Sequence, residues 1–169
     1  MKLRTLSTFF IFILLISPTT FAATSIPKPL AEKIQNLVTV LSAGYAVGYP
    51  KATMIQTIKG GGNTDVTLAV FTIEGFDGGN NYSQYLVAFS PETMEDGKQP
   101  FRLIDVMRIG GGAWRVIQKL NAKSSPELKS DEATIAIEAL ENTDYYSPNF
   151  ASKKSTITLV LKNGRFYEK

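Results

Sequence analysis

The chain is predicted to fold as an α+β protein in which β predominates, with one N-terminal amphipathic helix packed on a curved antiparallel meander of about seven to eight strands. Three features predict it. Apolar residues recur at helical spacing near the start of the chain. Beyond Gly44, runs of Val, Ile, Thr and aromatic residues take over, and clusters of Gly, Asn, Asp and Pro separate them. The connections between those runs are short and offer no crossover helix, so neighbouring strands are expected to pair antiparallel.

The first 22 residues are expected to be a cleavable secretory signal. Lys2 and Arg4 precede an apolar run over residues 9–16, then Pro18 and the small-residue end Thr20-Phe21-Ala22, the order of a positive, a hydrophobic and a cleavable region. As a helix that run would extend only ~12 Å, against the ~30 Å hydrocarbon core of a bilayer, so no integral membrane anchor is expected. Cleavage between Ala22 and Ala23 places the small Thr20 three residues back, where a cut one residue later would place Phe21. Residues 23–169 then form a single soluble exported domain, periplasmic or secreted.

Along that domain, Leu30, Ile34, Leu37, Val38 and Leu41 share one face of a helix over residues 29–43, with Pro29 in the first turn and Gly44 as the stop. Strands follow near residues 53–59, 65–74, 82–89, 101–109, 114–120, 134–140, 156–162 and 165–168. Residues 65–74 are apolar on both faces, which predicts a central strand, whereas Ile157, Leu159 and Leu161 alternate with polar neighbours, as a sheet with one covered face requires. Asn163-Gly164 predicts a two-residue hairpin, because both positions of that turn need positive φ. The Gly60–Gly62 and Gly110–Gly112 runs are expected at other reversals.

Composition excludes much chemistry. The chain has no histidine and no cysteine, so a Ser-His-Asp triad, a Cys-His dyad, the usual zinc sites and a stabilising disulfide are all ruled out by inventory. The 22-residue leader carries two bases and no acid, so its removal takes the net charge from +3 to +1. Without a run of like charge, no nucleic-acid partner is expected. No phosphate-binding Gly-x-x-x-x-Gly-Lys-Ser/Thr loop is present. Asp77-Gly78-Gly79-Asn80-Asn81 lacks the acidic spacing and the bidentate glutamate of a calcium loop, so neither metal nor cofactor is expected.

Two groups of residues remain as candidates. Asp105 interrupts the apolar strand 101–109, with Leu103 and Met107 expected on its face and Arg108 or Arg115 as its partner. It is the one candidate catalytic residue, as half of a carboxylate pair acting on glycans; Glu74 and Glu138 are weaker. An ion pair holding register, or a solvent-facing position, is the favoured account of it. The second group is aromatic. Tyr45, Tyr49, Phe76, Tyr82, Trp114, Tyr145, Tyr146 and Phe150 flank turns, where most such rings close a core. The loop bearing Tyr145, Tyr146 and Phe150 is the exception, since a polar connection does not call for three large rings. With Trp114 these form the candidate binding surface.

The stretch from Tyr85 to the C-terminus resembles a widespread class of exported bacterial β-rich domains of unassigned function. The resembling elements are Tyr85-Leu86-Val87-Ala88-Phe89, Ile104-Asp105-Val106 leading into Ile109-Gly110-Gly111-Gly112, then Trp114-Arg115-Val116-Ile117, and the closing Leu161-Lys162-Asn163-Gly164-Arg165. In that class a loop with Asp, Pro and paired cysteines precedes the last hairpin; here Asp144-Tyr145-Tyr146-Ser147-Pro148-Asn149 stands in its place without cysteines. The resemblance implies export and a β-rich fold. The expected function is a non-enzymatic binding or accessory protein that meets a protein or glycan of the envelope. A carboxylate enzyme centred on Asp105 is one alternative, and a subunit that pairs with itself or another chain through a sheet edge is another.

Overall fold

The computed structural model describes residues 26–42, 47–48, 53–59, 65–75, 81–92, 94, 100–124, 132–143 and 151–169. The leader and the aromatic residues Tyr145, Tyr146 and Phe150 lie outside the described residues. Those described form one helix, α1 (Lys28–Leu41), and nine strands: β1 (Val47–Gly48), β2 (Met54–Lys59), β3 (Asp65–Glu74), β4 (Tyr82–Pro91), β5 (Phe101–Gly111), β6 (Arg115–Ser124), β7 (Ala133–Glu141), β8 (Lys153–Lys162) and β9 (Arg165–Glu168). β predominates. Every pairing is antiparallel, in the order β1-β3-β4-β5-β6-β7-β8-β9 with β2 also paired to β3, and the sheet does not close on itself.

Pro27 flanks α1 and Pro29 lies in its first turn, where a missing N–H leaves no bond unmade. Leu30, Ile34 and Val38, one turn apart, are the buried stripe, and they form one apolar cluster with Ala69, Phe71, Val87 and Phe89 of β3 and β4. The helix passes β1 closely: a Cβ on Gly48 would lie 2.7 Å from a methyl of Val38. β3 is buried on both faces, as its doubly apolar pattern predicts.

β5 and β6 pair only at Gly111 and Arg115 and then part. The sheet is thereby divided into a β1–β5 half and a β6–β9 half. A second apolar cluster fills the space between them, with Leu68, Leu86 and Ile109 from the first half and Ile135, Ile137 and Leu159 from the second, all fully buried.

Two bulges in β5 alter which way its side chains point. Asp105 opposes Ala88 and Leu103 opposes Phe89, so Ile104 is an extra residue; Ile109 is another, between the Arg108–Tyr85 and Gly110–Gln84 pairs. One inserted residue reverses the two-residue alternation. Leu103 therefore lies on the α1 side with Phe89 and is 42% exposed, whereas Asp105 and Met107 lie on the side of the inter-half core. The expectation that Leu103 and Met107 flank Asp105 on one face is corrected accordingly. Gly110 and Gly111 also prove to be strand residues, and the reversal is made by residues 112–114.

Candidate functional site

Polar side chains reach across the places where the two halves meet without a ladder. The Gln56 amide behaves like a peptide group: its Nε2 donates to the Ala122 carbonyl at 2.7 Å and its Oε1 accepts the Ala122 N–H at 2.8 Å. Gln84 of β4 passes over Gly110 of β5 and accepts the Ile117 N–H of β6 at 2.8 Å. A Cβ on Gly110 would stand 3.0 Å from that Gln84 oxygen and 2.8 Å from the Arg115 carbonyl, so the crossing needs glycine.

Asp105 belongs to this set. Its Oδ2 accepts the Phe166 N–H of β9 at 2.8 Å. The expected partners, Arg108 and Arg115, are elsewhere: Arg108 opposes Tyr85 on the α1 side of β5, and Arg115 pairs with Glu168. Of the weaker carboxylate candidates, Glu138 forms an exposed pair with Lys119 at 3.5 Å.

A different cluster forms where β5 turns into β6. Arg115 is 4% exposed, and its guanidinium donates from Nε to the Ile109 carbonyl at 2.6 Å and from Nη1 and Nη2 to the two oxygens of Glu168 at 2.9 and 2.7 Å. This two-pronged bond holds the Glu168 carboxyl below the usual carboxylate range, against a smaller opposing effect of burial. The same guanidinium lies over the Trp114 ring, 4.0 Å from its centroid.

The turn that carries Trp114 is tightly held. Ala113 adopts φ 59°, a left-handed conformation that costs a non-glycine residue about 1 kcal/mol. The Gly112 N–H donates to the Tyr82 carbonyl, and the Trp114 carbonyl accepts the Asn142 N–H. Burial raises the pKa of the Tyr82 phenol. Despite this fixed setting the indole is 42% exposed, and the exposed Arg108 places its guanidinium 5.9 Å from the ring centroid.

Asn142 directly follows the end of β7, and the Ser152 N–H donates to the Glu141 carbonyl at 3.0 Å. Of these two residues, Asn142 is the one bonded to Trp114, whereas Ser152 is bonded to Glu141. Of the four aromatic candidates, Trp114 is the one the structure describes. Glu168, Gln56 and Gln84 are not singled out in the sequence, and Arg115 is paired there with Asp105 rather than with Glu168. A hint was present in Arg115, a charge at the head of an apolar strand that would need a carboxylate if buried.

Two concavities lie elsewhere. One, of about 10 Å³, is a crevice between α1 and the sheet lined by Ile26, Ile34, Gln35 and Phe71. The other, of about 520 Å³, is an open groove over β6–β8 lined by Gln118, Glu138, Leu140, Lys154 and Thr156. Among the described residues no three metal-ligating side chains gather, and no helix is long and apolar enough to cross a membrane. Comparison with protein families, with curated proteins and with solved structures finds no match.

Proposed function

We propose that the chain is an exported, non-enzymatic binding protein of the bacterial periplasm or secretome, and that it meets its partner at the corner built on Trp114. One observation carries this reading: a large aromatic ring stays exposed although its turn is strained and its neighbour Arg115 is buried and doubly bonded to Glu168. A ring fixed before its partner arrives loses little freedom on binding, which favours affinity. In the same reading the leader directs export, and α1 serves as the amphipathic cover of a curved meander. Asp105 is a poor catalytic centre, because one carboxylate oxygen is already committed to the β9 backbone.

The test is co-sedimentation of the purified domain with isolated cell-envelope material. Trp114→Ala is expected to reduce the bound fraction about tenfold while lowering the melting temperature by only a few degrees, since its two cation–π contacts, with Arg115 and Arg108, together contribute about 1–2 kcal/mol. Equal sedimentation of the variant and the parent would remove Trp114 from the contact surface.

A further inference from the structure

We infer that the Trp114 corner takes a carboxylate-bearing polysaccharide strand, an inference that rests on the binding role proposed above and names its ligand class. The first argument is charge. Two guanidinium groups border the indole, and they differ. Arg115 is neutralised by Glu168, whereas Arg108 is exposed and has no carboxylate within ion-pair distance among the described residues. A planar guanidinium fork matches a carboxylate through two parallel hydrogen bonds. Gly111 keeps that fork in place, because a Cβ there would sit 2.9 Å from Arg108 Nη2 and 2.6 Å from the Tyr82 carbonyl.

The second argument is shape. Small ligands are held in concave sites that bury most of their surface, and neither the crevice beside α1 nor the groove over β6–β8 is lined by Trp114 or Arg108. A flat exposed ring suits a chain that lies across it, each sugar offering an apolar C–H face to the indole and a ring substituent to the neighbouring guanidinium. A protein partner would want an apolar centre. Among the described residues, the other large exposed apolar side chains, Val40, Val47, Met94, Leu103 and Tyr167, belong to α1, β1, the β4–β5 connection, β5 and β9 rather than to this turn.

Trp114 is the only tryptophan in the chain, so its fluorescence reports this site alone. The domain is titrated with oligogalacturonate, with alginate oligomers, and with the methyl ester of the oligogalacturonate, which keeps the sugar and removes the charge. At least one acidic oligomer is expected to perturb the emission at a tenfold or more lower concentration than the ester. Added salt should weaken that preference, and Arg108→Gln should abolish it while preserving the melting temperature. Equal binding of acid and ester, or a preference that survives Arg108→Gln, would overturn the assignment of acid recognition and leave the binding role standing. So would no response to any oligomer together with envelope sedimentation that still depends on Trp114 but disappears after protease treatment of the envelope, which would point to a protein partner. Sedimentation independent of Trp114 is the separate result that ends the binding role itself.

Discussion

At the residue scale, the buried Arg115 sets the terms for its surroundings. Its charge is satisfied by Glu168, so replacing that carboxylate leaves a guanidinium without its ionic partner. Glu168→Gln is expected to cost about 1–2 kcal/mol at neutral pH, a figure kept low because the Glu168 side chain is 39% exposed. The pair also gives stability a pH dependence of known sign. The folded state holds the Glu168 carboxyl below its ordinary value, so it binds this proton less readily than the unfolded chain. The stabilisation is complete above the usual carboxylate range of about pH 4–5 and is lost as the pH falls through the lower folded value. Melting curves should therefore show the gap between wild type and Glu168→Gln closing below about pH 4. Asp105 allows a second comparison. Asparagine keeps an oxygen to accept the Phe166 N–H, so Asp105→Asn should change stability by under about 1 kcal/mol, whereas Asp105→Leu orphans the donor and should cost about 1–3 kcal/mol. Equal losses from the two would mean that this bond is not what the carboxylate contributes.

At the element scale, α1 offers a direct contrast between its faces. Ile34 lies in the apolar cluster with Phe71 and Val87, so Ile34→Ala should cost about 2–4 kcal/mol. Val40 is 79% exposed on the same helix, and Val40→Ser should stay within about 0.5 kcal/mol by chemical denaturation. These features were legible because they are local. The stripe follows from helical spacing, the centrality of β3 from apolar residues on both its faces, and the last hairpin from Asn163-Gly164, which take φ 51° and 71°. What stayed hidden depends on a partner. The extra residues Ile104 and Ile109 are bulges only relative to β4, so nothing within residues 101–111 announces that Leu103 changes face. β1 is two residues long and carries no period at all. The site divides in the same way. Trp114 and Asp105 could be singled out from their neighbours in the chain, but Arg115 and Glu168 stand 53 residues apart and meet only because the meander brings β9 back to the head of β6.

At the scale of the whole molecule, the question is how two half-sheets joined by one ladder pair stay together. The apolar core shared between them supplies the attraction, but it has no direction and cannot fix how the edges align. Alignment falls to the side chains that stand in for backbone partners: Gln56 on Ala122, Gln84 on Ile117 and Asp105 on Phe166. Each satisfies a group that an open strand edge would offer to another chain. The Gln56 amide is the clearest case, since it serves both the N–H and the carbonyl of one β6 residue. Gln56→Leu keeps the side chain's bulk but leaves both groups unpaired, so it should open the β2–β6 boundary without dissolving the core. Hydrogen exchange is the measurement that separates these events, because local opening and global unfolding protect different amides. The Ala122 amide is expected to exchange about tenfold or more faster in the variant, beyond any change at Ile137 in the middle of β7. If both amides accelerate by the same factor, the boundary opens only when the whole molecule unfolds, and the core alone holds the halves in register.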